Sequence, residues 1–331
     1  MSVINTPSPR PSVTRPWFQR LCLLSVISVG ALVILGGVVR VTGSGLGCPD
    51  WPLCHGSVIP PFELQPIIEY SHRLVASAVV GPLVLVTCVS AWTAYRRDKW
   101  LVIPATMALI LLLGQVLLGG VTVLQELPGG IVAAHLALAQ ALLATLIILL
   151  VVSYNGPLVM SGSGRQDIAP RQRRFPAMIL AAALMVYGLL LTGSYVTAAG
   201  ATAACGGWPL CHGSVFPGSG AEMIHMGHRY ATLIFGLFTF YALHLGIKPG
   251  PGDPSAGNQS NRKGIWWLAL IGSAIFVIQV AAGAVTVMSG YAPELRALHL
   301  SLATALWGTM AGLAALAHTQ RTSIPLEPVN G

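Results

Sequence analysis

The sequence contains few charged residues for its length. Of its 331 residues, 8% are Asp, Glu, Lys or Arg, whereas 54% are hydrophobic. A soluble domain carries about 25% charged residues, so the composition excludes an ordinary soluble protein. The short alternating segments that mark a transmembrane β-barrel are also absent. Together with a mean hydropathy of +0.72, these absences indicate a polytopic α-helical membrane protein.

Long apolar stretches supply the predicted helices. A transmembrane helix needs roughly 20 apolar residues to cross about 30 Å of hydrocarbon. Eight stretches are long enough, at residues 18–41, 70–94, 101–124, 132–153, 176–198, 224–246, 265–288 and 295–317. The first stretch lacks the small-x-small cleavage site of a signal peptide, which favours a retained helix. The expected fold class is all-α, with eight transmembrane helices in two tandem four-helix bundles related by duplication.

Acidic residues are scarcer than basic ones, and the basic residues are unevenly placed. The chain has 18 Lys and Arg against 10 Asp and Glu. All but four basic residues fall in the tails and loops on one side of the predicted bundle, which the positive-inside rule makes cytoplasmic. The four exceptions are Arg40, Arg73, Arg229 and Arg296. We therefore expect both termini in the cytoplasm and a location in the inner (plasma) membrane. The dispersed basic residues do not favour nucleic-acid binding.

The second half of the sequence repeats the first. The octapeptide WPLCHGSV occurs at 51–58 and again at 208–215. Three further pairs follow in the same order: EYSHR at 69–73 with HMGHR at 225–229, LGQVLLGGVTVL at 113–124 with VIQVAAGAVTVM at 277–288, and AAHLALAQAL at 133–142 with ALHLSLATAL at 297–306. The order predicts duplication of a four-helix unit, with an N-terminal half at 1–155, a cytoplasmic linker at 156–173 and a C-terminal half at 174–331. An even number of helices in each unit makes the halves parallel.

Each octapeptide belongs to a loop that holds two cysteines. The pairs are Cys48 with Cys54 and Cys205 with Cys211. The loops face the outer, oxidising side of the predicted topology, where cysteine pairs persist as disulfides. Metal binding is the alternative, because His55 and His212 directly follow a cysteine, but each loop then offers at most three ligands. The sequence assigns no role to these two histidines.

Four of the nine histidines occupy matched positions in the two halves: His72, His135, His228 and His299. Each lies about one turn into an even-numbered helix, which predicts a similar depth near the outer face. An imidazole inside a membrane is a functional-site hypothesis by default, although a helix–helix hydrogen bond would explain one of them alone. Paired histidines on facing helices hold cofactors in bundles, and haem iron accepts two axial imidazoles. Zinc is less suitable, because no acidic or thiol ligand joins them at that depth.

Charged side chains accompany these histidines. Arg73 and Arg229 each follow a matched histidine, and guanidinium groups bind carboxylates in a bidentate manner, which predicts contacts with haem propionates. For Arg40 and Arg296, also at outer helix ends, ordinary snorkelling to the membrane surface is an equal alternative.

Glu69 shares a helix face with His72, whereas the matching residue in the second half is His225. A carboxylate there can move protons or stabilise positive charge, and a structural role at the membrane surface is the alternative. This asymmetry predicts one working half and one supporting half, and leaves the role of His225 open.

These motifs resemble the haem A synthase family, the membrane enzymes that convert haem O to haem A for terminal oxidases. The resemblance rests on GGVVRVTGSGLGCPDWPLCHGSVIPP at 36–61, on EYSHR and on the paired histidines of each half. It implies that Glu69, His72 and His135 form an N-terminal site for the substrate haem O. It also implies that His228 and His299 ligate a b-type haem, and that Cys48 and Cys54 form a redox-sensitive outer disulfide.

The resemblance also implies a reaction and partners. A porphyrin methyl is oxidised to a formyl group through a hydroxymethyl stage, with electrons passing to an acceptor. A haem O synthase would supply the substrate, and a homo-oligomer is an alternative to a monomer. Three other functions are weighed against this one. A di-haem b-type electron-transfer protein or a haem carrier leaves the difference between Glu69 and His225 unexplained, and a thiol-oxidising membrane enzyme leaves the four histidines unexplained.

Overall fold

The computed structural model describes residues 14–158, 170–248 and 259–319. Within these ranges eight helices are long and apolar enough to cross a membrane. They are α1 (Pro16–Val41), α2 (Leu64–Ala94), α3 (Lys99–Leu124), α4 (Gly129–Asn155), α5 (Pro170–Ala198), α6 (Gly220–Ile247), α7 (Gln259–Met288) and α8 (Pro293–Ala317). The prediction of an all-α polytopic membrane protein is confirmed.

Local sequence explains several helix boundaries. α1 and α8 begin with a proline at the first helical position. An N–H at this position has no acceptor within the helix, so proline, which lacks the N–H, costs no hydrogen bond there. α3 starts after Asp98, whose side chain accepts from the N–H of Trp100. α6 starts with a capping box between Ser219 and Glu222. These caps fix where each chain segment enters its helix and so set the register of the residues that follow.

α2 begins earlier than the apolar stretch predicts and contains an irregular turn. It starts at Leu64, before the predicted residue 70, and widens into a π-helical turn at Ala76–Val80. Pro82 follows this turn and has no N–H to donate to the preceding turn, which accounts for a change in helical pitch at this point. His72 lies one turn before the irregular segment.

Each half of the chain forms a ring of four helices. In the first ring α1 packs against α2, α2 against α3, α3 against α4, and α4 against α1; α5 to α8 repeat the same pattern. The two rings meet through α1, α4, α5 and α8. Helices α2 and α4 therefore lie diagonally across the first ring, and α6 and α8 across the second.

Equivalent residues of the two repeats meet at the centre of the molecule. The side-chain amide of Gln140 on α4 donates to the Thr304 hydroxyl on α8 at 2.9 Å, and both residues are the eighth of their repeat segment. The Trp307 indole donates to the backbone carbonyl of Gln140 at 2.9 Å. Contact between equivalent residues indicates a pseudo-two-fold axis at this position, surrounded by the main hydrophobic core.

The segments that join the two rings are only partly described. Most of the predicted linker, 156–173, lies outside the described residues, and its last residues from Pro170 onward are helical and belong to α5. Leu158 pairs with Thr319 through an isolated β-bridge, which brings the end of α4 close to the end of α8. Three of the basic residues used for the topology prediction, Arg10, Arg165 and Arg321, lie outside the described residues.

Candidate functional site

Each of the four matched histidines lies against a glycine of the preceding helix. The pairs are His72 with Gly36, His135 with Gly119, His228 with Gly193 and His299 with Gly283. A Cβ built on any of these glycines would lie 2.9–3.2 Å from the imidazole Cε1. Carbon atoms in favourable contact are about 3.5–4.0 Å apart, so a side chain at these positions would push the ring away. The four sites are therefore built in the same way.

Each ring of helices brings its own two histidines together. His72 on α2 and His135 on α4 lie near each other across the first ring. His228 on α6 and His299 on α8 do the same across the second ring. Two imidazoles that face each other from diagonal helices are the arrangement by which bundles hold a cofactor.

Most of the imidazole nitrogens have no protein partner among the described residues; His299 Nε2 is an exception and lies 3.3 Å from the side-chain amide nitrogen of Gln279. Within the described residues the rings of His72 and His135 form no hydrogen bond, and their Nδ1 atoms are buried, as is that of His299. His228 Nδ1 bonds to the Thr192 hydroxyl at 2.8 Å, which fixes the ring and leaves Nε2 free. Buried polar atoms without a partner are rare and call for a bound group or ion. The imidazoles of His72, His135, His228 and His299 are side chains that would hold a haem iron.

A cavity of about 750 Å³ surrounds the second pair of histidines. His228 and His299 both line it, and most of the remaining lining is apolar, including Phe240 and Phe276. Sites for small molecules and cofactors measure about 300–1,000 Å³ and are mostly apolar with a few polar groups. The cavity therefore suits a large flat apolar cofactor. Its lining also includes residues of α1 and α4, such as Gly37, from the first ring.

Arg73 contacts the first cysteine loop. Its guanidinium donates to the backbone carbonyls of Cys48, Asp50 and Leu53, each at 2.7 Å. It also forms an ion pair with Glu69. These bonds engage both terminal nitrogens of the guanidinium and fix the loop to α2, and contact between Arg73 and a propionate stays a prediction.

Arg229 has a similar set of contacts in the second half. Its guanidinium donates to the backbone carbonyls of Gly207, Pro209 and Leu210 at 3.0–3.2 Å. Unlike Arg73, it belongs to the lining of the large cavity. Contact with a bound anion remains a prediction for this residue.

Glu69 is buried beneath the first cysteine loop. It is 4% exposed, and its Oε2 accepts from the backbone N–H of Cys48 at 2.7 Å. The matching His225 is also buried, and its Nδ1 bonds to the backbone carbonyl of Ala201 at 3.1 Å. Both residues thus lie between a loop and the arginine one turn further along the helix. What differs between the halves is the chemistry of the bridging group, a carboxylate in one and an imidazole in the other.

Both predicted disulfides, Cys48–Cys54 and Cys205–Cys211, are present, which confirms the predicted pairing. In the described residues, Cys211, His212 and Glu222 form the group whose spacing would suit a metal. Because the sulfur of Cys211 is already bonded to Cys205, only two ligands remain. The alternative of a metal in these loops is not supported.

The repeated Cys-His-Gly-Ser segment forms a tight turn in each loop. Cys54 and Ser57 exchange backbone hydrogen bonds of 2.9 and 3.1 Å around His55 and Gly56, both of which have positive φ. A two-residue hairpin loop with positive φ at both positions is a type I′ turn, which favours glycine and tolerates histidine. His212 and Gly213 adopt the same conformation. This turn was not predicted from the sequence, although the histidine–glycine pair between two bridging residues is a usable signal.

Asp50 distinguishes the first loop from the second. Its carboxylate accepts from the backbone N–H of His55 at 2.6 Å and from that of Gly56 at 2.7 Å. These bonds, chiefly the one from Gly56, lower the pKa of Asp50 below the usual carboxyl value. The matching residue of the second loop is Gly207, so that loop has no side chain in this role.

Comparison with known proteins assigns the chain to a family. It matches the COX15-CtaA model, described as cytochrome oxidase assembly protein, over residues 19–311. The chain belongs to the COX15-CtaA family. The matched range contains the four histidines of the two rings and the four cysteines of the two disulfides.

Relatives with assigned names extend this result. The chain is 32% identical over 285 residues to a heme A synthase of Exiguobacterium sp. strain AT1b, covering 85% of this chain and 87% of the relative. It is 36% identical over 228 residues to the heme A synthase of Alkalihalophilus pseudofirmus, covering 66% and 74%. It is 28% identical over 294 residues to the heme A synthase of Bacillus licheniformis, covering 88% and 92%. The similarity to these relatives therefore extends over both rings of helices.

Proposed function

We propose that this chain is a haem A synthase, an oxidoreductase that converts a porphyrin methyl of haem O to a formyl group through a hydroxymethyl stage. The product serves the biogenesis of a terminal oxidase. The observation that carries the proposal is the fourfold pairing of a half-buried histidine with a helix glycine, two pairs in each ring. The names of the relatives support the same reaction.

The proposal divides the work between the two halves. The N-terminal half, 1–155, holds the substrate haem O between His72 and His135. The C-terminal half, 174–331, holds a b-type haem between His228 and His299, and the cavity around this pair supports the assignment. When bound, the b-type haem would supply a one-electron relay between the substrate and an external acceptor. Thr192 would keep the His228 ring oriented, because it occupies Nδ1.

Glu69 is the proposed catalytic residue. It lies three residues before His72 on the same helix face, so its carboxylate is near the substrate ligand. The ion pair with Arg73 and the N–H of Cys48 fix the two carboxylate oxygens. A fixed carboxylate at this position would stabilise positive charge on the substrate or accept a proton released at the oxidised methyl. Arg73 would act by positioning Glu69.

The chain is a multi-pass membrane protein, and its orientation follows from the distribution of basic residues. Arg15, Arg20, Arg96 and Lys248 lie at the helix ends opposite the cysteine loops. By the positive-inside rule these ends are cytoplasmic. We place both termini in the cytoplasm of the inner (plasma) membrane, with the disulfide loops and haem sites toward the outer face. A haem O synthase, an electron acceptor and a second copy of the chain are the proposed partners.

Pigment analysis of the purified protein tests this function. Co-expression with a source of haem O should yield formyl-bearing haem, and the purified protein should show a low-spin b-type spectrum. His228→Ala or His299→Ala should remove most of that spectrum, whereas His72→Ala or His135→Ala should retain it. His244→Ala is the matched control, because His244 is exposed on the same helix as His228. A haem carrier would return only unchanged b-type haem, and equal damage by all four substitutions would contradict the division of work.

A further inference from the structure

Two arginines that line the large cavity have no hydrogen-bond or ion-pair partner within residues 14–158, 170–248 and 259–319. Arg40 on α1 and Arg296 on α8 both belong to the cavity lining. Among the described residues, the ion pairs are Glu69 with Arg73 and His212 with Glu222, so neither arginine is paired with an acid. A charged group at a membrane helix end is costly when it is neither paired nor hydrated. Their positions at the cavity therefore need an explanation.

The packing of α1 against α8 brings these arginines to the same level. Gly37 of α1 lies against Leu300 of α8, where a Cβ on the glycine would be 2.6 Å from a leucine methyl. Arg40 follows Gly37 by three residues, and Arg296 precedes Leu300 by four. Because the two helices run in opposite directions, both arginines lie about one turn outward of this contact. Both arginines thus lie at the outer end of the contact between α1 and α8, where the first ring joins the second.

The positions equivalent to these arginines carry no charge. The repeat matches Arg40 with Thr197 and Arg296 with Val132, and both of these residues line the same cavity. The pseudo-two-fold arrangement therefore has a charged side and a neutral side. Positive charge on only one side of the cavity indicates a ligand whose anionic groups lie at one edge.

We propose that Arg40 and Arg296 form an anion subsite for the two carboxylates of the haem held by His228 and His299. The inference rests on the proposed function, because that function supplies the haem. Guanidinium groups bind carboxylates through two parallel hydrogen bonds, so two arginines match two propionates. The first ring of helices then completes the cofactor site of the second through Arg40. Arg73 does not line this cavity, and its two terminal nitrogens donate to the cysteine loop; its contact with a propionate stays a prediction.

Binding of haem b and of its dimethyl ester tests the subsite. The ester keeps the ring and the iron but has no carboxylate, so the ratio of the two affinities measures carboxylate recognition. Full-length protein from haem-deficient cells is titrated with each compound, and the b-type spectrum is followed. Wild-type protein should prefer haem b by at least about tenfold, because the ester cannot accept charge-assisted hydrogen bonds from the arginines. Arg40→Gln with Arg296→Gln should abolish the preference, and each single variant should reduce it.

The controls separate this inference from its alternatives. Arg20→Gln removes a charge at the opposite end of α1 and should keep the wild-type ratio. A second double variant, Arg40→Thr with Arg296→Val, carries the residues found at the matching positions of the repeat. It is used if the Arg40→Gln, Arg296→Gln protein is not produced in sufficient amount. A wild-type ratio in the double variant would overturn the subsite and leave the proposed function intact. Loss of bound anionic lipid with an unchanged ratio would assign the arginines to lipid phosphates instead. Wild-type protein with no spectrum dependent on His228 and His299 would overturn both proposals.

Discussion

The carboxylate of Glu69 accepts a hydrogen bond from the backbone N–H of Cys48 at 2.7 Å. This contact connects the disulfide loop to the helix that carries His72, and Arg73 strengthens it by bonding to both sides. The loop, the acid and the histidine thus form one unit at the outer end of the first ring. A change in any of them has two separable effects, one on the loop and one on the proposed chemistry.

Replacing Glu69 by glutamine tests which effect dominates. The amide oxygen can still accept from Cys48, but the negative charge is lost. We expect haem A production to fall about a hundredfold, equivalent to about 2.7 kcal/mol in the barrier, while the Cys48–Cys54 disulfide and the b-type haem persist. Extracted pigments measure the product, and mass spectrometry without reductant measures the disulfide. His225→Gln is the matched control and should retain most activity. Near-normal haem A production by Glu69→Gln would leave the carboxylate with a structural role only.

The helices and the disulfides could be predicted from the sequence, but the residues that the long arginine side chains contact could not. Apolar runs and the repeat order are local features, so they predicted eight spans and the cysteine pairs correctly. The contacts of Arg73 depend on how a separate loop folds over α2, and no local pattern specifies them. The entry of Arg40 into the cavity of the other half likewise depends on how the two rings pack. The role of Gly193 and its three equivalents could have been predicted from the sequence. Glycine inside a helix is unfavourable, so its presence there indicates close packing against a neighbouring group.

A methyl group at Gly193 should displace the His228 ring. The added Cβ would lie 3.2 Å from the imidazole, and overpacking of this kind costs about 1–3 kcal/mol. We expect Gly193→Ala to lower the haem content and weaken the low-spin b-type spectrum of the purified protein. Gly188→Ala on the same helix is the control, because its nearest neighbour would be at an ordinary 3.8 Å. Equal spectra for the two variants would show that the ring does not depend on the glycine.

The two disulfides should account for all cysteines except Cys22 and Cys88, both of which are buried and free. Alkylation after unfolding without reductant should therefore label only these two. Closing a loop over a sequence separation of six restricts the unfolded chain and stabilises the fold by about 2–3 kcal/mol in the chain-entropy model. Cys48→Ser with Cys54→Ser should lower the unfolding free energy by that amount in detergent, and Cys88→Ala should have a smaller effect. Labelling of all six cysteines in protein from an oxidising environment would contradict the pairing.

Acid should loosen the first disulfide loop before the second. The pKa of Asp50 is lowered in the folded protein, mainly because its carboxylate accepts the N–H of Gly56. A carboxylate with a lowered pKa stabilises the fold above the ordinary value of about 3.9, and this contribution is lost as the pH falls through the lowered value. The second loop has Gly207 in place of Asp50 and so provides an internal control.

The rates at which a phosphine reductant opens the two disulfides measure this difference. Mass spectrometry follows Cys48–Cys54 and Cys205–Cys211 in the same sample, so the ratio of rates cancels the chemistry of the reductant. We expect a constant ratio above about pH 4 and a rise in the relative rate of the first disulfide below it. Asp50→Asn removes the charge at every pH, so its ratio should be high and nearly independent of pH. A wild-type ratio that stays flat between pH 7 and the acid limit of folding would show that Asp50 does not hold the turn at His55 and Gly56.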